Sequence, residues 1–230
     1  MALVKLEQVS KVYRNGAEEV HAVRDVRLEV AAGEFVALVG PSGSGKSTIL
    51  GLVGGLNPPS RGQVLIDDID VYRLPVERQA DLRSTYIGFV FQEHELLPYL
   101  TALENVLLPL AILNYSHSRQ EAMAMEALGR VGLAGKGRRL PSQLSGGEQE
   151  RVAIARAIVN HPPLILADEP TGSLDSQTGN EIMELFKELN SQGLTIIMVT
   201  HNLQNLEYAN RVLTIRDGAV VDGREACLCG

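Results

Sequence analysis

Only two cysteines occur, Cys227 and Cys229, close to the C-terminal end of a 230-residue sequence. A disulfide across one intervening residue would be badly strained, and two ligands do not make a zinc site, so a reduced tail without metal is expected. Long apolar runs are missing as well. The greasiest stretch, Leu96 to Leu113, is broken by Pro98, Glu104 and Pro109 and does not suit a membrane-spanning helix. The start, Met1-Ala2-Leu3-Val4-Lys5, lacks the charged, apolar and small-residue zones of a secretory leader, so none is expected. Basic residues are in deficit, with 21 Lys and Arg against 28 Asp and Glu and a net charge of −7. That balance excludes an affinity built on neutralising nucleic-acid phosphates, and it disfavours a direct electrostatic lipid anchor. No low-complexity tract or internal repeat is present, which leaves a globular chain.

What is present is a chain with 45% apolar residues, long enough to bury a substantial core. Short β-rich runs alternate with helical patterns, as in an α/β domain with a largely parallel sheet. Glu34 to Val39, Leu164 to Ala167, Thr195 to Thr200 and Arg211 to Ile215 read as strands, most of them apolar on both faces and so covered by helices on both sides. The first thirty residues and Gly62 to Ile66 differ: Val26-Arg27-Leu28-Glu29-Val30 alternates, which predicts an antiparallel layer with one wet face. From about Glu93 to Leu144 helical signals dominate. There Ser118 and Glu121 are expected to form a capping box, with Ala122, Met125 and Leu128 on one helical face. Farther on, Thr178 with Glu181 suggests a cap for a helix that carries Ile182, Leu185, Phe186 and Leu189 toward the sheet.

Gly40-Pro41-Ser42-Gly43-Ser44-Gly45-Lys46-Ser47 fits the phosphate-loop pattern and sits where that loop must sit, between a strand ending at Val39 and a helix beginning near Ser47. Its glycines let backbone N–H groups turn inward around phosphates, and the following helix adds its positive end. Lys46 is expected to reach the β- and γ-phosphates and the Ser47 hydroxyl to bind Mg²⁺.

Leu164 to Glu169 is an apolar strand ending in two carboxylates. Alone, such a pair is more often a solvated loop start. Beside a phosphate loop, Asp168 is expected to hold Mg²⁺, directly or through water, and Glu169 to orient or deprotonate the attacking water. His201 follows the Thr195 to Thr200 strand in the same way, and a γ-phosphate contact is expected there, because ligands gather at the carboxyl ends of parallel strands. Gln92, after Ile87 to Phe91, offers an amide toward metal or water.

Leu144-Ser145-Gly146-Gly147-Glu148 precedes a helical run at Val152 to Val159, so it presents a hydroxyl and free N–H groups at a second helix start. An anion site there and a plain helix cap with Ser145 as N-cap are both open on these residues. Together the motifs resemble the nucleotide-binding domains of ABC ATPases, over nearly the whole chain. Gly40 to Thr48 is similar to that family's Walker A and Leu164 to Asp168 to its Walker B, with Glu169 in the place of its catalytic glutamate. Leu144 to Glu148 resembles its signature motif, Ser173-Leu174-Asp175 its D-loop, Gln92 its Q-loop and His201 its switch histidine. Tyr13 resembles the aromatic that stacks on adenine.

The resemblance implies an α/β phosphate-loop NTPase core with a mainly parallel sheet, an N-terminal antiparallel β layer and a helical insertion at about 93–150, within one domain over 1–230. It implies ATP and Mg²⁺ as ligands, and a homodimer that sandwiches each ATP between the Walker A of one copy and Ser145, Gly146 and Gly147 of the other. Within the family, Gln92 to Val106 and Ala167 to Asp175 look like the lipoprotein-releasing and macrolide-export (LolD/MacB) subgroup. That implies integral-membrane permease partners and a place on the cytoplasmic face of the inner membrane, held through the permease. The stretch Leu96 to Leu113 is then expected either to line the groove for the partner's helix or to serve as insertion core. Ser173, where relatives commonly have Asn, and Glu150, a charge near the helix start, depart from the subgroup pattern; Glu150 is expected to alter the partner contact. Other exporter subgroups and a non-transport ABC ATPase are the alternatives. A GTPase would need an Asn-Lys-x-Asp run, which is absent, and a small-molecule kinase would need an acceptor site and usually a basic lid.

Overall fold

The structure, a computed structural model, describes residues 1–16 and 18–221. The cysteine pair lies outside the described residues.

Two sheets form the frame. The first is antiparallel and contains β1 (Ala2–Asn15), β2 (Glu18–Ala31), β4 (Arg61–Ile66) and β5 (Ile69–Asp70) in the order β2-β1-β4-β5. Its alternation is the one the sequence announces: Val26, Leu28 and Val30 are buried while Arg27 and Glu29 face water. The second sheet has the order β10-β9-β3-β8-β7-β6, made from β3 (Phe35–Val39), β6 (Ile87–Val90), β7 (Leu164–Asp168), β8 (Thr195–Val199), β9 (Arg211–Arg216) and β10 (Ala219–Val221). All neighbours in it are parallel except β10 on β9.

Alternate residues of the parallel strands feed two apolar layers. Val36, Leu38, Leu164, Leu166, Ile197 and Val199 join α1 (Lys46–Val53) and the antiparallel sheet. Phe35, Ala37, Ile165, Ala167, Ile196 and Met198 join the other face, which is covered by α5 (Gly146–Ile158) and α6 (Ser176–Ser191). Burying a Leu, Ile or Val side chain contributes about 1.5–3 kcal/mol, so a strand such as β8, buried at every position, is anchored from both sides.

Between β6 and β7 the described chain contains no strand. Helices α3 (Ala102–Leu107) and α4 (His117–Arg130) pack on each other and on α5, and Ala102, Val106, Ala124 and Leu128 from them, with Leu110 between, belong to the same apolar layer as the sheet. The remaining helix, α2 (Val76–Tyr86), leads into β6.

Two helix starts differ from expectation. Helix α4 begins at His117, because Arg119 N and Gln120 N already donate to Ser116 O; Ser118 lies inside the first turn and no capping box with Glu121 forms. Its buried face is Ala124, Ala127 and Leu128, whereas Ala122 and Met125 are exposed. Alanine and methionine occupy two overlapping helical stripes, and the contact with α3 and α5 selects one of them. Helix α6 starts at Ser176 with its cap three residues before Thr178, since the Asp175 carboxylate accepts from Gln177 N at 3.1 Å and Thr178 N at 3.0 Å. An aspartate holding two free N–H groups outcompetes the later threonine. Its predicted face, Ile182, Leu185, Phe186 and Leu189, is buried.

Candidate nucleotide site

Four neighbouring parallel strands, β3, β8, β7 and β6, end on one edge of the sheet. The residues that follow them are, in that spatial order, the 40–47 loop, His201, the Asp168-Glu169 pair and Gln92. Parallel topology therefore gathers segments far apart in sequence onto one rim, where open α/β sheets bind ligands.

The loop after β3 is wedged tightly against its neighbours. A Cβ on Gly40 would lie 2.0 Å from Ile215 O, and one on Gly45 would lie 2.2 Å from Ala22 O; both residues have positive φ, at 148° and 104°. Only glycine fits. Gly45 is the N-cap of α1 and no side chain caps that helix, so its first N–H groups have no side-chain partner. Lys46, 8% exposed, donates from Nζ to Gly40 O at 2.9 Å and to Pro41 O at 2.8 Å. The Ser44 hydroxyl is buried without a partner. Pro41, Ser42, Gly43 and Ser47 are exposed at the mouth, and Thr48 is half-buried. A buried ammonium with neutral acceptors, a helix start without a side-chain cap and an unpartnered hydroxyl make a cradle suited to an anion.

Across the cradle, Ser47 Oγ donates to Asp168 Oδ1 at 3.3 Å, joining the loop to the end of β7. Burial pushes the Asp168 carboxyl up and Glu169 pushes the same way, while the Ser47 hydrogen bond and Lys46 oppose them. Glu169 adopts φ 49°, a left-handed backbone that costs a side-chain-bearing residue about 1–2 kcal/mol. It is held there by Glu169 N donating to Val199 O and Gly172 N donating to Glu169 O, both at 2.9 Å. His201 Nδ1 lies 2.7 Å from Glu169 Oε2, and the imidazole is 65% exposed. In this arrangement the histidine meets the glutamate.

Tyr13 is exposed on β1, with Lys11 Nζ 5.0 Å from its ring centroid. It pairs across the hairpin with Val20, two residues before Ala22, whose carbonyl abuts Gly45. Gln92 is exposed in a turn just beyond β6.

The second group lies elsewhere. Ser145 caps α5, its Oγ accepting from Glu148 N at 3.3 Å while Glu148 Oε2 accepts from Ser145 N at 2.9 Å. A Cβ on Gly146 would lie 3.4 Å from Leu174 Cδ2, and one on Gly147 would come 2.3 Å from Thr178 Cγ2. Thr178 Oγ1 in turn donates to Asp175 Oδ2 at 2.6 Å. Ser145, Gly146, Gly147 and Asp175 thus form one cluster at the starts of α5 and α6. Among the described residues no hydrogen bond ties this cluster to the 40–48 loop.

One buried residue here was not singled out from sequence, and one that was takes another place. Asn205, buried, donates to Thr171 Oγ1 at 2.9 Å and to Thr200 Oγ1 at 3.2 Å, stitching the segments that follow β7 and β8. Glu150 is not a partner-facing charge: it is fully buried and bonded to His94. An apolar groove of 400 Å³ runs beside β6, with Leu56, Phe89, Phe91, Pro109 and Ile112 among its lining residues. Of the stretch Leu96 to Leu113, only Pro109 and Ile112 line it, while Ala102, Val106 and Leu110 are core.

The ABC transporter family matches residues 23–172. An ABC transporter ATP-binding protein of Thermotoga maritima is 48% identical over 95% of this chain and 93% of its own length. A macrolide export ATP-binding/permease protein, MacB 2 of Aeromonas hydrophila, is 45% identical over 95% of this chain, which spans 34% of that longer protein. The dimeric ATP-binding cassette MJ0796, in a post-hydrolysis state bound to ADP and Pi, superposes with a TM-score of 0.86 at 45% identity over 94% of this chain and 96% of its own. The protein of that name from Methanocaldococcus jannaschii is an ABC transporter ATP-binding protein. With its strand-edge site and these relatives, the chain belongs to the ABC transporter family, as one of its ATP-binding, ATP-hydrolysing proteins.

Proposed function

We propose that two copies of this chain close head to tail on two ATP molecules and that this closure drives an integral-membrane partner of the lipoprotein-release or macrolide-export kind. The observation that carries the proposal is the separation of two anion-seeking helix starts within one chain: α1 behind the 40–47 loop, and α5 with Ser145, Gly146 and Gly147 in a different cluster. A second copy would bring the α5 start to the open mouth of the loop, and the dimeric cassette relative supports that assembly.

In this scheme Tyr13 stacks on adenine, and the N–H groups of Gly40 to Thr48 with Lys46 grip the phosphates. Ser47, Asp168 and Gln92 would hold Mg²⁺, which when bound supplies positive charge against the phosphate oxygens. Among the described residues no group of three His, Cys, Asp or Glu could hold a metal by itself, which fits an ion bound largely through phosphate and water oxygens. Glu169 orients the attacking water and accepts its proton, with His201 holding the carboxylate from the side. Asp175 caps α6 beside the α5 start and shapes the surface offered to the other copy.

The whole of 1–230 acts as one ATPase domain, with the helices of about 93–150 as its partner-facing insertion. The apolar groove at Leu56, Phe91, Pro109 and Ile112 receives a helix of the permease. No described helix is long and apolar enough to cross a membrane. The permease would therefore hold the chain at the cytoplasmic face of the inner membrane; the MacB relatives, named as ATP-binding/permease proteins, support that pairing.

Glu169→Gln tests the scheme. The variant should bind ATP, turn over about 10²–10⁴-fold more slowly, and accumulate as an ATP-bound dimer on a sizing column. Unchanged turnover would remove Glu169 from its role, and a monomer at saturating ATP would overturn the sandwich.

A further inference from the structure

The buried pair between Glu150 and His94 has no part in the scheme above. Glu150, on the second turn of α5, is completely buried, and its Oε2 is hydrogen-bonded to His94 Nδ1 at 2.5 Å. Its other oxygen, Oε1, is buried without a partner. Burial pushes the Glu150 carboxyl up, while His94 and then Arg156 work against that. A carboxylate in such a place is costly unless it is bonded, so the pair serves something other than generic packing.

What it serves is visible in the backbone it holds. His94 and Glu95 have φ values of 62° and 48°, two successive side-chain-bearing residues in the left-handed region. Arg156, nearly two turns farther along α5, donates from Nη2 to His94 O at 2.6 Å and from Nη1 to Glu95 O. Helix α5 therefore grips the segment after β6 at three points, through one side chain and two carbonyls. Gln92 lies two residues upstream of the grip. The turn is closed by His94 N donating to Phe91 O at 3.0 Å, so the two residues between Phe91 and His94 have little freedom of their own.

We propose that Glu150 and His94, with Arg156, are positioning residues that fix the path of residues 92–95 and thereby aim the Gln92 amide at the nucleotide rim. The inference rests on the proposed role of Gln92. It also makes α5 a strut between two sites: its N-terminal Ser145 would serve the partner's nucleotide, while its second turn holds a group serving this chain's own.

The test is a cycle of ATPase measurements on the full chain. His94→Leu with Glu150→Met replaces both members of the pair by apolar groups of similar size, which keeps the fold while removing the bond. The expected result is an unchanged melting temperature and ATP KM, with kcat lower by about tenfold, since misplacing a catalytic group by an ångström costs that much or more. Adding Gln92→Ala to this double variant should slow it no further than Gln92→Ala alone. Glu150→Gln, which still accepts from His94, should restore near-normal kcat. If the double variant does not fold, His94→Gln keeps a donor but changes its reach and should show the same kcat loss, again absorbed by Gln92→Ala. Gln92→Ala with normal turnover would defeat the Gln92 role itself. A slow Gln92→Ala beside a double variant with normal kcat, or losses that multiply, would overturn the positioning proposal and leave the Gln92 role standing.

Discussion

Gly147→Ala is the substitution whose cost the packing lets us work out. A methyl at 147 would sit 2.3 Å from Thr178 Cγ2, well inside van der Waals contact. Thr178 cannot turn that methyl aside freely, because its Oγ1 is bonded to Asp175 Oδ2 at 2.6 Å. Rotation would break that bond; staying put would push the start of α5 away from α6. Forcing a methyl into a filled site costs about 1–3 kcal/mol, and alanine returns up to about 1 kcal/mol of helix preference. A net loss of about 1–2 kcal/mol is expected, which for a chain of this size lowers the melting temperature by roughly 2–8 °C. The assay is thermal or urea unfolding of Gly147→Ala, Thr178→Ser and the double variant. Serine keeps the hydroxyl that holds Asp175 and removes the clashing methyl, so the double variant should recover most of the loss. A Gly147→Ala protein as stable as the parent, or a double variant no better than the single, would refute the packing argument. The glycine would then owe its place to the proposed nucleotide contact alone.

Two further outcomes can be checked by unfolding alone. Asn105 is fully buried, its Oδ1 accepting from Leu97 N at 2.8 Å and its Nδ2 donating to the carbonyls of Leu97, Leu100 and Thr101 at 3.0–3.1 Å. Asn105→Ala leaves several buried groups unpaired and should lower the urea-unfolding free energy by about 2–4 kcal/mol; a loss below about 0.5 kcal/mol would show that the 97–101 turn holds itself. The second concerns acid. The Thr178 hydroxyl, then the Thr178 and Gln177 N–H groups, hold the Asp175 carboxyl below the usual carboxylate range. A depressed pKa stabilises the fold above the ordinary value near 3.9 and ceases to as pH falls through the lowered one. Asp175→Asn keeps an acceptor at the cap and does not titrate, so its urea midpoint should fall less steeply than the parent's between about pH 2 and 5. Parallel curves would refute the assignment.

The rim of the sheet was legible in the sequence because its parts are local. A glycine-rich spacing after an apolar strand, or two carboxylates closing one, carries its own conformational and chemical demands, and parallel topology then brings such ends together. What escaped depended on partners. The face of α4 hangs on which of two alanine-containing stripes meets α3 and α5, and nothing within residues 117–130 decides it. Thr178 and Glu181 make a plausible cap in isolation, but Asp175 holds the N–H groups of Gln177 and Thr178 and so starts the helix earlier. Glu150 reads as a solvent-facing charge near a helix start until the 93–95 turn is laid over it. Gly147 reads as a phosphate-binding residue, and its missing side chain also makes room for Thr178 within its own chain.

Backbone strain separates scaffold from site in this fold. The left-handed residues Asp67, Asp68 and Asp217 sit in tight turns between antiparallel strands, and Asp25 lies within β2. A short polar side chain tolerates that geometry, so these four need no functional account. The other left-handed residues with side chains are Gln8, His94, Glu95, His161 and Glu169 among those described. Three of these five stand just past the carboxyl ends of β6 and β7, on the rim that carries Gln92, Asp168 and His201. Each is held by bonds from a neighbouring element: Glu169 through Val199 of β8, His94 and Glu95 through Arg156 of α5. Strain of this kind survives only where the surroundings fix it from outside. Its placement on the two strand ends that carry the proposed catalytic carboxylate and amide is what a preorganised hydrolytic site requires. The glutamate at 169 and the turn at 94–95 are then two instances of one device, in which the backbone just past a strand end is held in an unfavourable conformation by bonds from a neighbouring element.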